Sequence, residues 1–417
     1  MLIVYRCLIN LIFLFSPLIL FLRLLKKKED DKRYKEKLCF FSKNRGYGKL
    51  LWFHGASVGE IQSIIPLVEK FETRKDINKI LITSNTLSSS KIIKKLKFKK
   101  VIHQFFPIDT NYHSKKFLNY WKPSVAFFID SEIWPNMIIN LHERKIPISI
   151  INARLTKKSF KRWSNFPNFS GYIFGKIDLC LSASKISNNY LKKLGIKNLK
   201  YFGNLKFSQS ETEKVIKQDN LKKFISKKKI WCASSTHETE EKFCGLVHKQ
   251  LKKKYKDLLT IIIPRHIERA SSIREELNNL GLKTQLYSAK NKISQDTDIY
   301  IFNTYGQTKS IYNICKNVFL GGSLIKHGGQ NPLEATRYNC NILHGPNVSN
   351  FQEIYNYLGK LKVSFKISNS SQLVKTLNQL ILKKNNSKNI KVKLGKIGNK
   401  ILNNYYNEIN KLIINDI

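Results

Sequence analysis

From Lys49 onward, short apolar runs rich in β-formers alternate with helical stretches at the spacing of βα units. Strands separated by whole helices cannot pair as tight hairpins, so they lie parallel and the helices cover the sheet. The candidate strands of a first series are Leu50–His54, Ile80–Ser84, Val101–Pro107, Val125–Asp130, Pro147–Asn152 and Leu179–Ala183. A second series runs Ile230–Ala233, Leu259–Pro264, Thr284–Tyr287, Ile299–Asn303, Val318–Gly321 and Asn341–Leu343. LLTIIIP (258–264) is apolar throughout, as a strand covered on both faces requires. Two series of six, divided near Gly203–Gln209, predict two doubly wound Rossmann-like α/β domains facing one another across a cleft. The 417 residues are too many for one compact core, which agrees. Ile390 to Ile414 reads as a final helix with an apolar stripe, available to pack back on the first domain.

In open parallel sheets, ligands sit at the carboxyl ends of strands, so the residues just after each strand matter most. In the first series these are His54-Gly55-Ala56-Ser57-Val58-Gly59-Glu60, Asp130-Ser131-Glu132-Ile133-Trp134-Pro135-Asn136 and Asn152-Ala153-Arg154. In the second they are Ser234 to Glu238, Pro264 to Arg269, and Gly321-Gly322-Ser323 leading through Lys326 and His327 to Asn331 and Glu334. Ser57-x-x-Glu60, Ser235-x-x-Glu238 and Asn331-x-x-Glu334 match or nearly match a helix capping box, with Pro332 at the first helical position. Each glutamate is therefore a cap, a ligand-facing carboxylate or both, since free N–H groups beside it also bind phosphate. Arg265, His266 and Arg269 at the end of an apolar strand suggest an anion site, with Arg269 the one best read as part of a solvated helix start.

Seven cysteines form no CxxC, which fits a reducing compartment and gives no zinc or disulfide framework. No P-loop, GxGxxG or GxSxG elbow occurs. No acidic pair or His cluster has the pattern of a metal site. Asp130-x-Glu132 comes nearest, and alternate residues of an extended chain point to opposite faces. The net charge is +45. Lys enrichment of the whole sequence is one source; a surface that meets an anionic membrane or substrate is the other. Nucleic acid ranks behind both, because no nucleic-acid-binding motif accompanies the charge.

Cys7 to Leu22 is an almost unbroken apolar run, lengthened by Leu2–Tyr5 and Leu24–Leu25 and followed by Lys26-Lys27-Lys28. It is long enough for a membrane anchor, and no small-residue cleavage site follows it. The basic cluster places the rest of the chain on the cytoplasmic side. The expected organisation is an anchor at 1–25, one α/β domain at 26–207 and a second at 208–417. A carboxylate on one lip of the cleft, with basic and glycine-rich loops on the other, suits glycosyl transfer from an anionic activated sugar.

Seven collinear stretches sharpen this: HGASVGE (54–60), DSEIWPN (130–136), INARL (151–155), GNLKF (203–207), STHETEE (235–241), PRHIER (264–269) and GGSLIKHGGQNPLEA (321–335). Together they resemble the 3-deoxy-D-manno-octulosonic acid (Kdo) transferases of lipopolysaccharide assembly. The resemblance implies a GT-B glycosyltransferase with an N-terminal acceptor domain and a C-terminal donor domain, inverting the anomeric carbon. It implies CMP-Kdo as donor, a lipid A precursor as acceptor and the cytoplasmic leaflet of the inner membrane as location. It implies Glu60 as catalytic base and Glu132 as a second acid, with Lys206, His237, Arg265, Gly322, Ser323, Asn331 and Glu334 on the donor side. No cofactor or metal is implied: CMP leaves as a monophosphate, so there is no diphosphate to chelate. Three stretches depart from the family pattern. Thr86-Leu87-Ser88-Ser89 stands for T-P-T-G, Asn303-Thr304-Tyr305-Gly306-Gln307 stands for D-T-M-G-E, and Asp130 stands for a usual Glu. Within enzymes the alternative is a GT-B transferase using a UDP-sugar; outside them it is a non-catalytic, basic membrane-binding protein.

Overall fold

A computed structural model describes residues 1–209, 219–226, 228–288, 292–304, 306–382 and 390–414. The chain forms two compact units, one of Met1–Ser210 with Lys396–Ile417, the other of Glu211–Gly395.

The first unit is built on seven parallel strands: β1 Leu50–His54, β2 Lys79–Ser84, β3 Val101–Phe105, β4 Val125–Ile129, β5 Ile148–Ala153, β6 Leu179–Ser182 and β7 Leu199–Tyr201, in the order β3-β2-β1-β4-β5-β6-β7. Alternate residues of one strand serve two cores. Leu50 and Trp52 pack on one face of the sheet, whereas Leu51 and Phe53 pack on the other, all fully buried. Burying each such side chain is worth about 1.5–3 kcal/mol, which is why the strand has no polar face. The second unit carries β8 Lys229–Thr236, β9 Leu258–Pro264, β10 Thr284–Leu286, β11 Ile299–Ile301, β12 Asn317–Leu320, β13 Asn341–His344 and β14 Ser364–Lys366, in the order β10-β11-β9-β8-β12-β13-β14. Each sheet thus has one strand more than the periodicity predicts. The extra strands, β7 and β14, are three-residue edge strands without a fully buried residue, so neither leaves an apolar run in the sequence.

The helix Ile390–Ile414 brings the far end of the chain to the first unit. Ile401, Tyr405, Ile409 and Ile413 share one helical face and join the core that holds Leu51 and Phe53. Tyr405 Oη donates to the carbonyl of Gly203 at 3.0 Å. At Gly398 a Cβ would meet the Phe207 carbonyl oxygen at 2.4 Å, so only glycine permits this approach to the loop after β7.

The apolar helix Leu2–Leu25 lies on the first unit along one face. Pro17 cannot donate to the Phe13 carbonyl, and the Ser16 hydroxyl fills that vacancy at 2.7 Å. Near its start, Tyr5 donates to the buried Asp109 carboxylate at 2.7 Å and Arg6 Nε to Asn136 Oδ1 at 2.9 Å. Just beyond its end, the buried Glu29 pairs with Arg23 at 2.5 Å and with Lys37 at 2.7 Å.

Candidate active site

In the first unit the strand order reverses between β1 and β4, so the loops leaving these two strands diverge and open a crevice. Glu60 stands on the β1 side, in a capping box at the start of the helix Val58–Glu72. Its Oε2 accepts from the Ala56 N–H at 2.7 Å and its Oε1 from the Ser57 hydroxyl at 2.8 Å. The cap does not hold it at an ordinary acidity. Burial, then the neighbouring Glu132 and Asp130 charges, raise its pKa from 4.5 to about 7, against the pull of the Ser57 and Ala56 hydrogen bonds.

Glu132 is held by aromatic and imidazole donors. Its Oε2 accepts from Trp134 Nε1 at 2.9 Å and faces His54 Nε2 at 3.2 Å. Thr83 Oγ1 accepts from Trp52 Nε1 at 2.9 Å and sits 2.9 Å from His54 Nδ1. This network assigns the imidazole proton to Nε2, directed at Glu132. Asp130 departs from the extended-chain expectation. It takes a left-handed conformation with φ +62°, which ends the strand and lets both its carboxylate and that of Glu132 act on Glu60. Arg154 Nε pairs with Asp130 at 3.2 Å. Burial raises the Asp130 pKa, offset in part by Arg154 and Lys206.

Lys206 lies in this same cluster. Asn152, itself left-handed at φ +54°, accepts from the Leu205 N–H at 2.8 Å, and Asn204 accepts from the Lys206 N–H at 2.9 Å. The two asparagines fold GNLKF against INARL and direct the Lys206 ammonium toward Asp130 and Glu60. Burial lowers its pKa while those two carboxylates raise it. At the altered Thr86–Ser89 stretch, Thr86 caps the helix Leu87–Lys95 by accepting from the Ser89 N–H at 3.2 Å.

The second unit repeats the plan, with its order reversing between β8 and β12. At this crevice the sequence pattern misplaces one cap. Glu238 is exposed and makes no capping box: β8 runs on through Ser235 to Thr236, and the next helix starts at Glu240 behind a left-handed Thr239. Glu240 takes the role instead. Its carboxylate accepts from the backbone N–H groups of His237 at 3.0 Å, Gly322 at 2.7 Å, Ser323 at 3.1 Å and Leu324 at 3.0 Å. Sequence reasoning missed it; the only available signal was the second of the three glutamates in STHETEE, two residues past the one that fits the S-x-x-E spacing.

Around this clasp stand the expected residues. His237 packs against His327 at 4.4 Å between ring centroids and approaches His266 at 6.0 Å. Burial and the surrounding His327, His266 and Arg265 charges lower its pKa to about 4, so its ring is neutral at pH 7. A Cβ on Gly322 would meet His237 at 3.3 Å, and this residue is left-handed at φ +65°. Arg265 is exposed at the end of β9, with its N–H donating to the Thr236 carbonyl at 3.0 Å. Arg269 is the structural member, paired with the buried Glu241 carboxylate at 3.0 Å.

Ser323 is fully buried. Its N–H is committed to Glu240, its hydroxyl to the Leu320 carbonyl and the Gly345 N–H, and its carbonyl to Asn347. It shapes the loop from within. Asn331 accepts from the Leu333 N–H at 3.1 Å, and Pro332 stands at the N-cap, one place earlier than the sequence suggests. Glu334 bears on the buried Tyr312, whose hydroxyl meets Ser234 at 2.8 Å. Tyr305 of the altered 303–307 stretch lies outside the described residues.

Two doubly wound units, each with its polar residues gathered where the strand order reverses, define the GT-B class of fold. The fold resembles that of UDP-GlcNAc 2-epimerase from Neisseria meningitidis: TM-score 0.57 at 13% identity, covering 88% of this chain and 100% of that one. Residues 32–209 match the family model described as 3-deoxy-D-manno-octulosonic-acid transferase (kdotransferase). The Kdo transferase of Rickettsia bellii is 33% identical over 412 residues, 96% of this chain and 97% of its own. That of Haemophilus influenzae is 28% identical over 405 residues, 94% of this chain and 93% of its own. A probable mitochondrial Kdo transferase of Arabidopsis thaliana is 32% identical over 367 residues, 84% and 81% of the two chains. The chain belongs to the Kdo transferase family.

Proposed function

We propose that this protein transfers Kdo from CMP-Kdo to a lipid A precursor, with inversion and with Glu60 as general base. The acceptor hydroxyl oxygen forms a bond to the anomeric carbon as the bond from that carbon to the CMP phosphate oxygen breaks. CMP carries away the electron pair, and the hydroxyl proton passes to Glu60. The observation that carries this reading is the Glu60 carboxyl held near pKa 7 beside Glu132 and Asp130. Such a group is ionised in useful amount at neutral pH and has a proton affinity that an ordinary carboxylate lacks.

The first unit takes the acceptor, whose hydroxyl reaches Glu60, with Glu132 and its His54 and Trp134 partners shaping that side. The second takes CMP-Kdo: Arg265 meets the departing phosphate charge, while the loop from Gly322 through Asn331 to Glu334 shapes the donor pocket around neutral His237. Lys206 offsets the negative charge that would otherwise surround Glu60 and favours an anionic sugar. The helix Leu2–Leu25, with Lys26–Lys28 after it, holds the enzyme to the cytoplasmic leaflet of the inner membrane.

The test is a product assay with purified protein, CMP-Kdo and a tetraacylated lipid A precursor, read by mass spectrometry. Kdo-bearing lipid and free CMP are expected. Transfer from a UDP-sugar, with none from CMP-Kdo, would overturn the donor assignment.

A further inference from the structure

The helix Leu2–Leu25 meets the usual criteria for a membrane span, yet its contacts describe a different placement. At 24 residues it is about 36 Å long, enough to cross a hydrocarbon core. A crossing helix must be surrounded by lipid or by other membrane-embedded helices over that length. Here one face is committed to the first unit from end to end. Leu2 packs against the core that contains Trp52, Tyr5 and Arg6 bond to Asp109 and Asn136, Phe13 lies 4.5 Å from the His113 ring, and Ser16 and Leu20 are buried. Arg23 closes the row on Glu29, and Leu2, Tyr5, Phe13, Ser16, Leu20 and Arg23 all fall on one helical stripe. If the docked helix crossed the bilayer, loops and strand edges of the first unit would enter hydrocarbon with their backbone groups unpaired. If it undocked to cross, the buried Asp109 and Glu29 would each lose a partner.

We infer that the helix Leu2–Leu25 lies in the plane of the membrane surface as a fixed part of the first unit, its outer face sunk into the cytoplasmic leaflet rather than spanning the bilayer. The inference rests on the membrane association proposed above and specifies its geometry. The outer face is apolar at both ends and in the middle, with Ile3 77% exposed, Leu14 70% and Leu25 66%, and the exposed Asn10 is a polar side chain at its margin. The chemistry beside it fits an anionic lipid surface. Lys26, Lys27 and Lys28 are exposed at one end. At the other, Phe166 and Tyr172 are exposed and line a groove with Met1 and Leu2, while Tyr112 is exposed beside His113 midway. Aromatic rings with a polar edge and lysines belong at the headgroup level, where such a helix lies.

The test uses the full-length protein with Cys7, the one exposed cysteine, replaced by serine. Single cysteines at Ile3, Leu14 or Leu25 carry an NBD fluorophore, and each variant is added to preformed vesicles of phosphatidylethanolamine and phosphatidylglycerol containing spin-labelled lipids. An in-plane helix places all three probes at one shallow depth, about 5–10 Å below the headgroups, and dithionite added outside bleaches all three. A Leu14 probe at the bilayer midplane, with an Ile3 probe protected from external dithionite, overturns the inference and leaves membrane association standing. Probes that stay in water, insensitive to lipid quenchers, overturn both. A second measurement avoids the fluorophore: Phe13→Cys with His113→Cys, joined by a short bis-maleimide. Efficient cross-linking of vesicle-bound protein supports the docked helix, and cross-linking seen only off the membrane overturns it.

Discussion

Each unit places a glutamate at the start of the helix that follows the first strand of its sheet, and the two are used in opposite ways. Glu60 takes its hydrogen bonds from its own turn, Ala56 and Ser57, and its remaining neighbours include two carboxylates. Glu240 is sealed off from solvent and ties its helix to a second loop through four backbone N–H groups. Local capping leaves a carboxylate free to respond to a substrate. Capping that bridges two loops turns it into a fixture. Those same four bonds also mean that the Gly322–Leu324 N–H groups are engaged with the protein itself; under the proposed function, the charge of the donor is then left to side chains such as Arg265.

The largest effect that tests this contrast is on turnover. Glu60→Gln keeps an acceptor oxygen for the cap but has no proton affinity, so folding should persist while the chemical step slows by roughly 10²–10⁴-fold. The wild-type rate should rise with pH through about 7 as Glu60 ionises, and the variant should lack that limb. Near-normal turnover would make Glu60 a cap only and move the search for the base to Glu132.

Next comes Arg265→Ala, expected to weaken CMP-Kdo use by about 2–4 kcal/mol in transition-state stabilisation. Its melting temperature should barely move, because the side chain is exposed. Lowered stability with unchanged turnover would mark Arg265 as structural instead.

Glu240→Gln should show the reverse signature to Glu60→Gln. An amide nitrogen would face backbone N–H groups, so two donors lose their acceptor, at a cost of about 2–3 kcal/mol in thermal or urea unfolding. The KM for CMP-Kdo should rise more than kcat falls, since the loop it shapes is distorted while the base is untouched. If Glu240→Gln melts normally, the two glutamates differ less than the geometry says.

The smallest effect is on the pH dependence of stability. Glu60 binds its proton more tightly in the folded chain, at about 7, than at its ordinary value of 4.5. Its contribution is therefore most favourable below 4.5 and is lost as pH rises through 7. Comparing wild type with Glu60→Gln across that window should reveal a relative loss in the wild type on the order of 1 kcal/mol, after discounting for solvent screening. A parallel pair of stability curves would contradict the raised pKa.

The fold was legible wherever a strand is buried on both faces, because Leu50–His54 and Leu258–Pro264 are then almost wholly apolar, with Thr260 the one polar residue inside the second. It was illegible at β7 and β14, whose partial burial erases the pattern. Glu60 and Glu132 could be located because strand ends locate them, but the order of events around Glu240 could not. The S-x-x-E spacing pointed to a cap at Ser235 closed by Glu238, and only the left-handed Thr239 shows that the helix begins at Glu240, four residues beyond the start such a cap gives. Asp130 shows the same limit: alternation along an extended chain separates it from Glu132, and a single left-handed residue reunites them. Lys206 was placed on the donor side by resemblance, while its location beside Asp130 and Glu60 depends on two asparagine clasps that carry no sequence signature.

The helix Ile390–Ile414 has a consequence for synthesis on the ribosome. The first unit cannot complete its core when Ser210 emerges, because Ile401, Tyr405, Ile409 and Ile413 have not yet been made. At an elongation rate of about 5–20 residues per second, the intervening stretch takes roughly 10–40 s. During that interval the nascent first unit exposes the apolar seat around Leu179, Leu181 and Leu205, so the second unit is translated while the first still waits for its closing helix.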